Sequence, residues 1–345
     1  CLLRLYHPLA AFLLLLVFGA TVFASEIAHS SARFRPEERG VDVFAGLIVW
    51  TTREPGADCW AEVIHSRGLN SLNDLREVRF GWDLGFRVGA GYHLKYDQWD
   101  TQLYYTHFDT LGKDRVDEER GTVHSTFLGN FYVDNPIGLG LSGPAYESAS
   151  IDWKIHYHMF DWELGRSFWL SPALAIRPFI GGKGGWIDQS IHTKWKNTYI
   201  LDLFLLFREG IENVNNDFWG VGPVAGIHTK WILFSPQNNL LSLIGDCSAA
   251  LMYGHWSFSD KYQNDVHQKV IIDSQNFKSC ATMIRILFGV EWNHDFYEKR
   301  YRIGAKLGYE TQVWLNQLQF YSFVGGRMNS ALTLQGGTFE FHFDF

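Results

Sequence analysis

The stretch FGWDLGFRVGAGYHLKY, residues 80–96, alternates strictly between two kinds of residue. Every even position carries an apolar side chain, whereas the odd positions carry glycine or a polar or charged residue. A period of two places these sets on opposite faces of an extended strand. Strands of soluble proteins run to about 5–6 residues, and a membrane-crossing strand needs roughly 9–11. The stretch therefore predicts a membrane-crossing strand with its apolar face toward lipid.

The same alternation recurs along the chain and ends it. The last eight residues, TFEFHFDF, place phenylalanine at 339, 341, 343 and 345 with polar residues between them. In SIDWKIHYHMFDWELG, residues 150–165, the apolar positions change phase after Met159. One extra residue in a strand is typical of a β-bulge, and we expect one there.

Aromatic residues gather at the ends of these stretches, and short connections alternate with long ones. Both features are typical of an outer-membrane barrel with short periplasmic turns. Because single-chain bacterial barrels have an even number of strands, eleven recognisable stretches imply a missed one near 33–42, 190–216 or 315–328. We predict an all-β fold, a transmembrane antiparallel up-and-down β-barrel of about 12 strands, within a range of 10–16. The stretches are 43–53, 57–65, 80–94, 98–109, 150–164, 173–188, 218–231, 240–255, 280–292, 301–314 and 332–345.

The N-terminus predicts export. Arg4 precedes an apolar segment at 10–18, and Val22 and Ala24 form a cleavage-site pattern, so residues 1–24 read as a signal peptide. The alternative, a membrane anchor, is disfavoured because the apolar run is shorter than about 18 residues. We expect an N-terminal segment at 25–42 and the barrel at 43–345, with long loops at 110–149, 190–216 and 257–279. Within the second loop, LDLFLLFREGI could form a short helix folded into the pore.

Composition excludes one class of partner. The net charge is −7, and charged residues make up 19% of the chain, so no nucleic-acid partner is expected.

GLGLSG at 138–143 matches a dinucleotide-binding pattern but is flanked by prolines, so it predicts a loop. We expect no cofactor, no metal and no catalytic residue. His156 and His158 share a strand face, yet their spacing indicates no third metal ligand, so we expect them to line the lumen with Asp152 and Lys154.

Three segments carry a family resemblance: GFRVGAGYHLKYDQWDTQLYYTHF (85–108), MFDWELGRSFWLSPALAIRPFIGGKGGWIDQ (159–189) and GVGPVAGIHTKWIL (220–233). They resemble the pore-forming major outer membrane proteins of Legionella type, with similar barrels in chlamydia-like bacteria. The resemblance implies a porin-like barrel in the outer membrane of a Gram-negative bacterium and carries over no catalytic residues. Phe345 resembles the terminal aromatic signal read by the barrel assembly machinery.

Cysteines add a second expectation from the resemblance. Disulfide cross-linking of the envelope is a theme among such proteins, which makes Cys59, Cys247 and Cys280 candidates for intermolecular disulfides. Their odd number alone implies that at least one thiol is free or pairs with another chain. The alternative is that they are buried small hydrophobic residues.

The predicted function is an outer-membrane porin for passive diffusion of small hydrophilic solutes and ions. The alternatives are a surface adhesin or structural barrel with a closed lumen and, less favoured, a lipid-modifying outer-membrane enzyme. Expected partners are outer-membrane lipids, the assembly machinery, small solutes and further copies in a homo-oligomer. Charged rings tune selectivity in channels, and the predicted pore-lining residues are Asp83, Arg87, Lys95, Asp152, Lys154, Arg177, Lys183, Arg285, Glu291, Arg302, Lys306 and Glu310.

Overall fold

Ten antiparallel strands close into a barrel in the computed structural model. It describes residues 40–67, 70–94, 97–118, 122–129, 145–196, 208–236, 238–265, 267, 269–296, 301–322 and 326–345. In chain order the strands are β1 (Gly40–Arg53), β2 (Cys59–Arg67), β3 (Asn70–Glu77), β4 (Asp83–His93), β5 (Trp99–Asp117), β6 (Val123–Ser125), β7 (Ala145–Tyr146), β8 (Ser148–Arg166), β9 (Phe168–Ser171), β10 (Leu174–Lys196), β11 (Glu209–Phe234), β12 (Asn239–Asn264), β13 (Lys269–Phe296), β14 (Tyr301–Ser322) and β15 (Gly326–Asp344).

The last strand closes the barrel against the first. β15 pairs with β1 from Asp42 opposite Asp344 to Arg53 opposite Thr333. The order around the wall is β1, β4, β5, β8, β10, β11, β12, β13, β14, β15. The all-β barrel is confirmed, and its ten strands lie within the predicted range but below 12. The stretch 57–65 leaves the wall as β2, and 190–196, 209–216 and 315–322 lengthen neighbouring strands instead of adding one.

Much of what we predicted as long loops is strand. Residues 110–117 belong to β5, 257–264 to β12 and 269–279 to β13. The predicted signal peptide, residues 25–39 and most of the predicted pore helix lie outside the described residues. Among the described residues, no helix has the length and apolar character needed to cross a bilayer.

β8 shows how the wall changes character along a strand. It pairs without a register shift with both neighbours, so the predicted bulge after Met159 is wrong. The same alternate positions face inward along the whole strand. What changes is whether the outward-facing residues are apolar or polar. Toward the C-terminal end of β8, Phe160 and Trp162 face outward, whereas in its N-terminal half Trp153 and Tyr157 face inward and are fully buried.

We call the half with an apolar outward face the lower barrel and the half with a polar outward face the upper barrel. Gly40 and Phe345 lie at the free rim of the lower barrel, together with the described residues of the connections 94–98, 167–173 and 235–238. Such short turns are periplasmic in outer-membrane barrels. On β8, β10, β11 and β12, the lower barrel comprises 159–166, 174–187, 218–234 and 239–254, and the upper barrel 148–158, 188–196, 209–217 and 255–264.

The shear of the barrel limits its bore. Following directly paired residues once around the wall leads from His255 to Leu243 on β12, a displacement of 12 residues. With ordinary strand spacing, ten strands and this shear give a tilt of about 40° and a backbone radius of roughly 10 Å. Eight-stranded barrels are filled by their own side chains, so a ten-stranded one leaves little additional room.

A small second sheet covers the upper end. Its order is β3, β2, β6, β7. Ring contacts join it to the wall: Trp60 and Tyr146 lie with centroids 5.4 and 4.9 Å from that of Trp195. Gly129 adopts a left-handed conformation (φ +80°) beneath the same ring, where a Cβ would lie 2.5 Å from Trp195 Cε2. This sheet, which we call the cap, packs against the upper barrel on the side opposite Gly40 and Phe345.

Candidate functional site

The lower barrel contains a cavity of about 400 Å³ that reaches its free rim near Gly40 and Phe345. We call this cavity the vestibule. Its lining combines acidic and basic groups from nearly every strand of the wall. Near the rim these are Asp42, His93, Arg302 and Asp344, with Lys306 further in. The lining of the vestibule is therefore charged and mixed in sign.

The floor of the vestibule is an ionic layer built around Glu310, which is fully buried. Arg87 Nη1 and Nη2 each donate to one Glu310 carboxylate oxygen at 3.0 Å. Arg285 Nε lies 2.8 Å from Glu310 Oε1, and Arg87 also donates to Glu340 Oε1 at 3.2 Å. Removing one member of such a buried group leaves its partner charge uncompensated, which costs far more than the pair itself contributes.

A second ionic chain runs along the vestibule wall. Arg177 donates to Asp100 Oδ1 at 2.8 Å and to Glu163 Oε2 at 2.8 Å. His228 places Nε2 3.1 Å from Glu163 and Nδ1 2.6 Å from Asp246. An imidazole with carboxylates at both nitrogens donates to both only as the cation. Two further pairs complete the network: Lys183 with Asp161 at 2.7 Å and Lys230 with Glu291 at 2.9 Å.

Above the ionic layer, aromatic rings cross the interior from wall to wall. We call them the aromatic layer, and each of its six residues is no more than 1% exposed. Successive ring centroids lie 4.7 to 6.5 Å apart, which is the usual spacing of packed aromatic pairs. The rings come from six strands on both sides of the barrel. In order of contact they are Phe108, Trp50, Tyr157, Trp314, Phe218 and Trp256.

The two layers are in direct contact. The Arg87 guanidinium lies 5.9 Å from the Trp50 ring centroid, and Lys183 Nζ lies 5.7 Å from that of Trp314. Tyr157 donates its hydroxyl hydrogen to Gln312 Oε1 at 2.9 Å. Cations over aromatic faces and a satisfied phenol allow a charged layer to pack on an apolar one.

Beyond the aromatic layer the upper barrel buries an acid. Gln189 Nε2 donates to Glu54 Oε1 at 2.9 Å, and no cation is within ion-pair distance of Glu54 in the described part of the chain. Glu54 follows β1 and is outside the membrane-spanning segments. Burial raises the pKa of Glu54 to about 8, because its charged form is poorly solvated there. The upper interior therefore holds this carboxyl in its neutral form at neutral pH.

The predicted pore-lining residues divide into three groups. Asp83 is one of those whose side chain faces the barrel interior, and its Oδ2 accepts a hydrogen bond from Thr110 Oγ1 at 2.6 Å. Asp152 and Lys154 lie on the outward face of the upper barrel, as do His156 and His158. The prediction that these four residues line the lumen is therefore wrong. We assigned the polar residues of β8 to the inward face along the whole strand, but in the upper barrel the polar residues face outward. Lys95 lies outside the described residues. The other predicted residues that face the interior are Arg87, Arg177, Lys183, Arg285, Glu291, Arg302, Lys306 and Glu310.

Sequence reasoning missed most of the acids that pair with these bases, and it missed the aromatic layer itself. Asp161 and Glu163 alternate with Phe160 and Trp162, so the lipid-facing phase of β8 would have placed both of them inside. Nothing local identifies the aromatic layer, because its rings come from strands far apart in the chain. A pore-lining role for the interior charges remains a prediction.

Cysteines and the terminal residue are placed clearly. Within the described residues no disulfide involves Cys59, Cys247 or Cys280, and Cys247 and Cys280 are exposed. Both of these lie on the outward face, so an intermolecular bridge through them would join barrel walls side by side. Phe345 is half-exposed, and its N–H donates to Val41 O at 2.9 Å. Intermolecular disulfides and the assembly signal remain predictions.

A protein-family model matches most of the chain. The family model described as Legionella pneumophila major outer membrane protein precursor matches residues 36–345. No curated protein matched the sequence. Among solved structures, the chain is similar to the outer membrane protease OmpT from Escherichia coli, at 9% identity and TM-score 0.37, covering 92% of this chain and 99% of that one.

Two further structures show the same kind of similarity. A Pseudomonas aeruginosa FadL homologue matches at 7% identity and TM-score 0.34, covering 89% of this chain and 90% of that one. A major outer membrane protein from Thermus thermophilus matches at 10% identity and TM-score 0.33, covering 90% of this chain and 100% of that one. At these TM-scores the similarities carry no argument about fold, substrate or activity.

Proposed function

The chain belongs to the family of the Legionella pneumophila major outer membrane protein and lies in the bacterial outer membrane, and we propose that it serves there as a non-conducting barrel. Its lower barrel anchors the chain in lipid, and its upper barrel and cap form a rigid β platform on the cell surface. The proposed role is structural or adhesive and involves no catalysis.

The aromatic layer is the observation that carries this proposal. An ion entering the vestibule from the rim meets six packed rings that are at most 1% exposed. Crossing them would require shedding the hydration shell into an apolar layer, and the cost of doing so is prohibitive. Hydrophobic constrictions stop conduction in channels by the same principle.

The upper barrel supports the surface role. Strands β10 to β13 are 23 to 28 residues long, well beyond the roughly 9–11 residues that cross a membrane. Their upper outward faces carry polar residues and their inward faces a packed core, as in a soluble domain. The platform is continuous with the wall, so force applied at the surface passes directly into the membrane anchor.

A diffusion pore is the second candidate, and the vestibule favours it. Its charged lining is a suitable entrance for small ions, and the ionic layer would provide the charged rings that set selectivity. Conduction in that case requires the aromatic layer to move aside. The two candidate functions therefore differ in whether the aromatic layer stays closed or moves aside.

Proteoliposome swelling distinguishes them. Folded chain, identified by its heat-modifiable electrophoretic band, is reconstituted in liposomes and transferred to an isosmotic solution of a small sugar. We expect swelling at the rate of protein-free liposomes, with a general porin as the positive control. Swelling that is faster in proportion to the amount of inserted chain would contradict the closed barrel and favour the pore.

A further inference from the structure

A compact group of imidazole and carboxylate side chains lies on the outward face where the lower barrel meets the upper barrel. In the β5–β8 ladder, His107 pairs directly with His158, and Asp109 pairs directly with His156. Side chains of neighbouring pairs on one face of a sheet lie within contact distance. Register, and not sequence spacing, therefore assembles three histidines and one aspartate in a two-by-two patch.

The ligand atoms of three of these residues converge. One ligand atom from each of His107, Asp109 and His158 lies within 4.8 Å of the other two. His107 Nδ1 is 3.2 Å from His158 Nδ1, and His107 Nε2 is 3.3 Å from Asp109 Oδ2. The fourth member, His156, places Nδ1 2.8 Å from Asp109 Oδ1.

The separation between the two Nδ1 atoms suits a bound metal. Two nitrogens that each lie about 2.0–2.1 Å from a tetrahedral Zn²⁺ are themselves roughly 3.3–3.4 Å apart. Two Nδ1 atoms 3.2 Å apart cannot both carry a hydrogen pointing at the other, so at least one is unprotonated and offers a lone pair. Neutral imidazole nitrogen is a preferred ligand for zinc and neighbouring transition metals.

The rings around the patch hold the two histidines in place. His158 stacks on Trp186 with centroids 5.1 Å apart, and the His107 ring centroid lies 5.1 Å from that of Phe86. Tyr105 places its hydroxyl oxygen 2.7 Å from His158 Nδ1. The ligand side chains of His107 and Asp109 are 25% and 46% exposed, so an ion can enter from the aqueous boundary.

We propose that His107, Asp109 and His158 bind a divalent transition-metal ion, with Zn²⁺ as the reference ion. His156 orients the Asp109 carboxylate through its hydrogen bond, and water completes the coordination. The ion links β5 to β8 on the outside of the wall, close to the membrane boundary. This proposal departs from our sequence-based expectation of no metal, because the third ligand is adjacent only through strand pairing.

Calorimetric titration of the tag-free, metal-stripped chain in detergent with Zn²⁺ tests the site. We expect one saturable site per chain, with affinity reduced at least about tenfold in both His107→Gln and His158→Gln, since outer-shell changes alone cost 10–100-fold. His192→Gln is the matched control, because His192 is an exposed strand histidine whose Nδ1 faces the Asn213 amide oxygen at 2.7 Å.

Folding is checked in every sample by the heat-modifiable band, and Asp109→Asn provides a third variant on the same site. Co²⁺ in place of Zn²⁺ should give the visible absorption of a tetrahedral or five-coordinate site in the parent chain and in His192→Gln only. Absence of saturable binding to the parent chain would overturn the proposal. Equal affinity in the parent, His107→Gln and His158→Gln would overturn it as well.

Discussion

The lower and upper barrel are built from the same strands with the same period of two, yet their polarity is opposite. Phe160 and Trp162 on β8 face lipid while Asp161 and Glu163 face the interior. Ten residues earlier on the same strand, Ile151 and Trp153 fill the interior while the alternate positions face water. Alternation thus fixes the two faces of a strand, and the solvent outside decides which face is apolar.

The two halves also bury charge differently. In the lower barrel the buried acids around Glu310 are neutralised by arginine or lysine at ion-pair distance. In the upper barrel the buried Glu54 has an amide partner, and its burial raises its pKa. Pairing and protonation are the two ways in which a protein avoids an uncompensated buried charge.

Removing the central acid of the ionic layer should have the largest effect. Glu310→Gln leaves two buried guanidinium groups facing a neutral amide, and we expect a loss of about 3–5 kcal/mol in the free energy of unfolding. Denaturant unfolding in detergent, followed by tryptophan fluorescence, measures it.

Asp152→Asn is the matched control in the upper barrel. Its partner Lys113 lies 3.5 Å away, and the side chains of Lys113 and Asp152 are 64% and 48% exposed. An exposed pair of this kind contributes about 0–1 kcal/mol. Equal losses in the free energy of unfolding for Glu310→Gln and Asp152→Asn would mean that the ionic layer is solvated. That result would contradict the difference in charge burial between the lower and upper barrel.

Protonation in the upper barrel should show as a pH dependence of stability. Glu54 has a pKa of about 8 in the folded chain against an ordinary value of 4.5, so the folded state binds the proton more tightly. Its contribution is therefore complete at low pH and is lost as pH rises toward and through 8. We expect the free energy of unfolding to fall by about 2–4 kcal/mol between pH 5 and pH 8.5.

Glu54→Gln should abolish that fall, because an amide does not titrate. Unfolding of the parent chain and of Glu54→Gln at pH 5, 7 and 8.5 provides the comparison. The same slope in both proteins would show that Glu54 is hydrated and that the upper interior is not dry.

The junction of cap and wall should show a smaller effect. Gly129→Ala puts a methyl group against the Trp195 ring at a positive φ, which costs about 1–3 kcal/mol of local strain. Because the cap covers only the upper end, we expect faster proteolysis there and an unchanged lower barrel. Limited proteolysis with mass analysis tests this, and loss of the whole heat-modifiable band would contradict independent stability of the halves.

Sequence alone predicted the lower barrel well. The alternation through β4 and the terminal phenylalanines identified lipid-facing strands, because the lipid-facing period is strong and local. The upper barrel was misread on β8: polar residues such as Lys154 were taken as inward, and the change of environment after Met159 was taken as a bulge.

The interior could not be predicted for a different reason. The Glu310 pairs join β14 to β4 and β13, and the Trp50–Tyr157 contact joins β1 to β8. These contacts depend on barrel closure and shear, which no single stretch encodes. The cross-strand His107–His158 pair was hidden for the same reason, since its members are separated by 51 positions in the chain.

The most direct test of the account is single-channel conductance with and without the aromatic layer. The folded parent chain is compared in planar bilayers with Trp50→Ala/Trp314→Ala, and with Trp82→Ala/Trp162→Ala as a control that removes two outward rings. The account predicts silent bilayers for the parent and the control, and discrete conductance steps for the variant lacking two interior rings. Conductance steps of equal size in the parent and in Trp50→Ala/Trp314→Ala would contradict it.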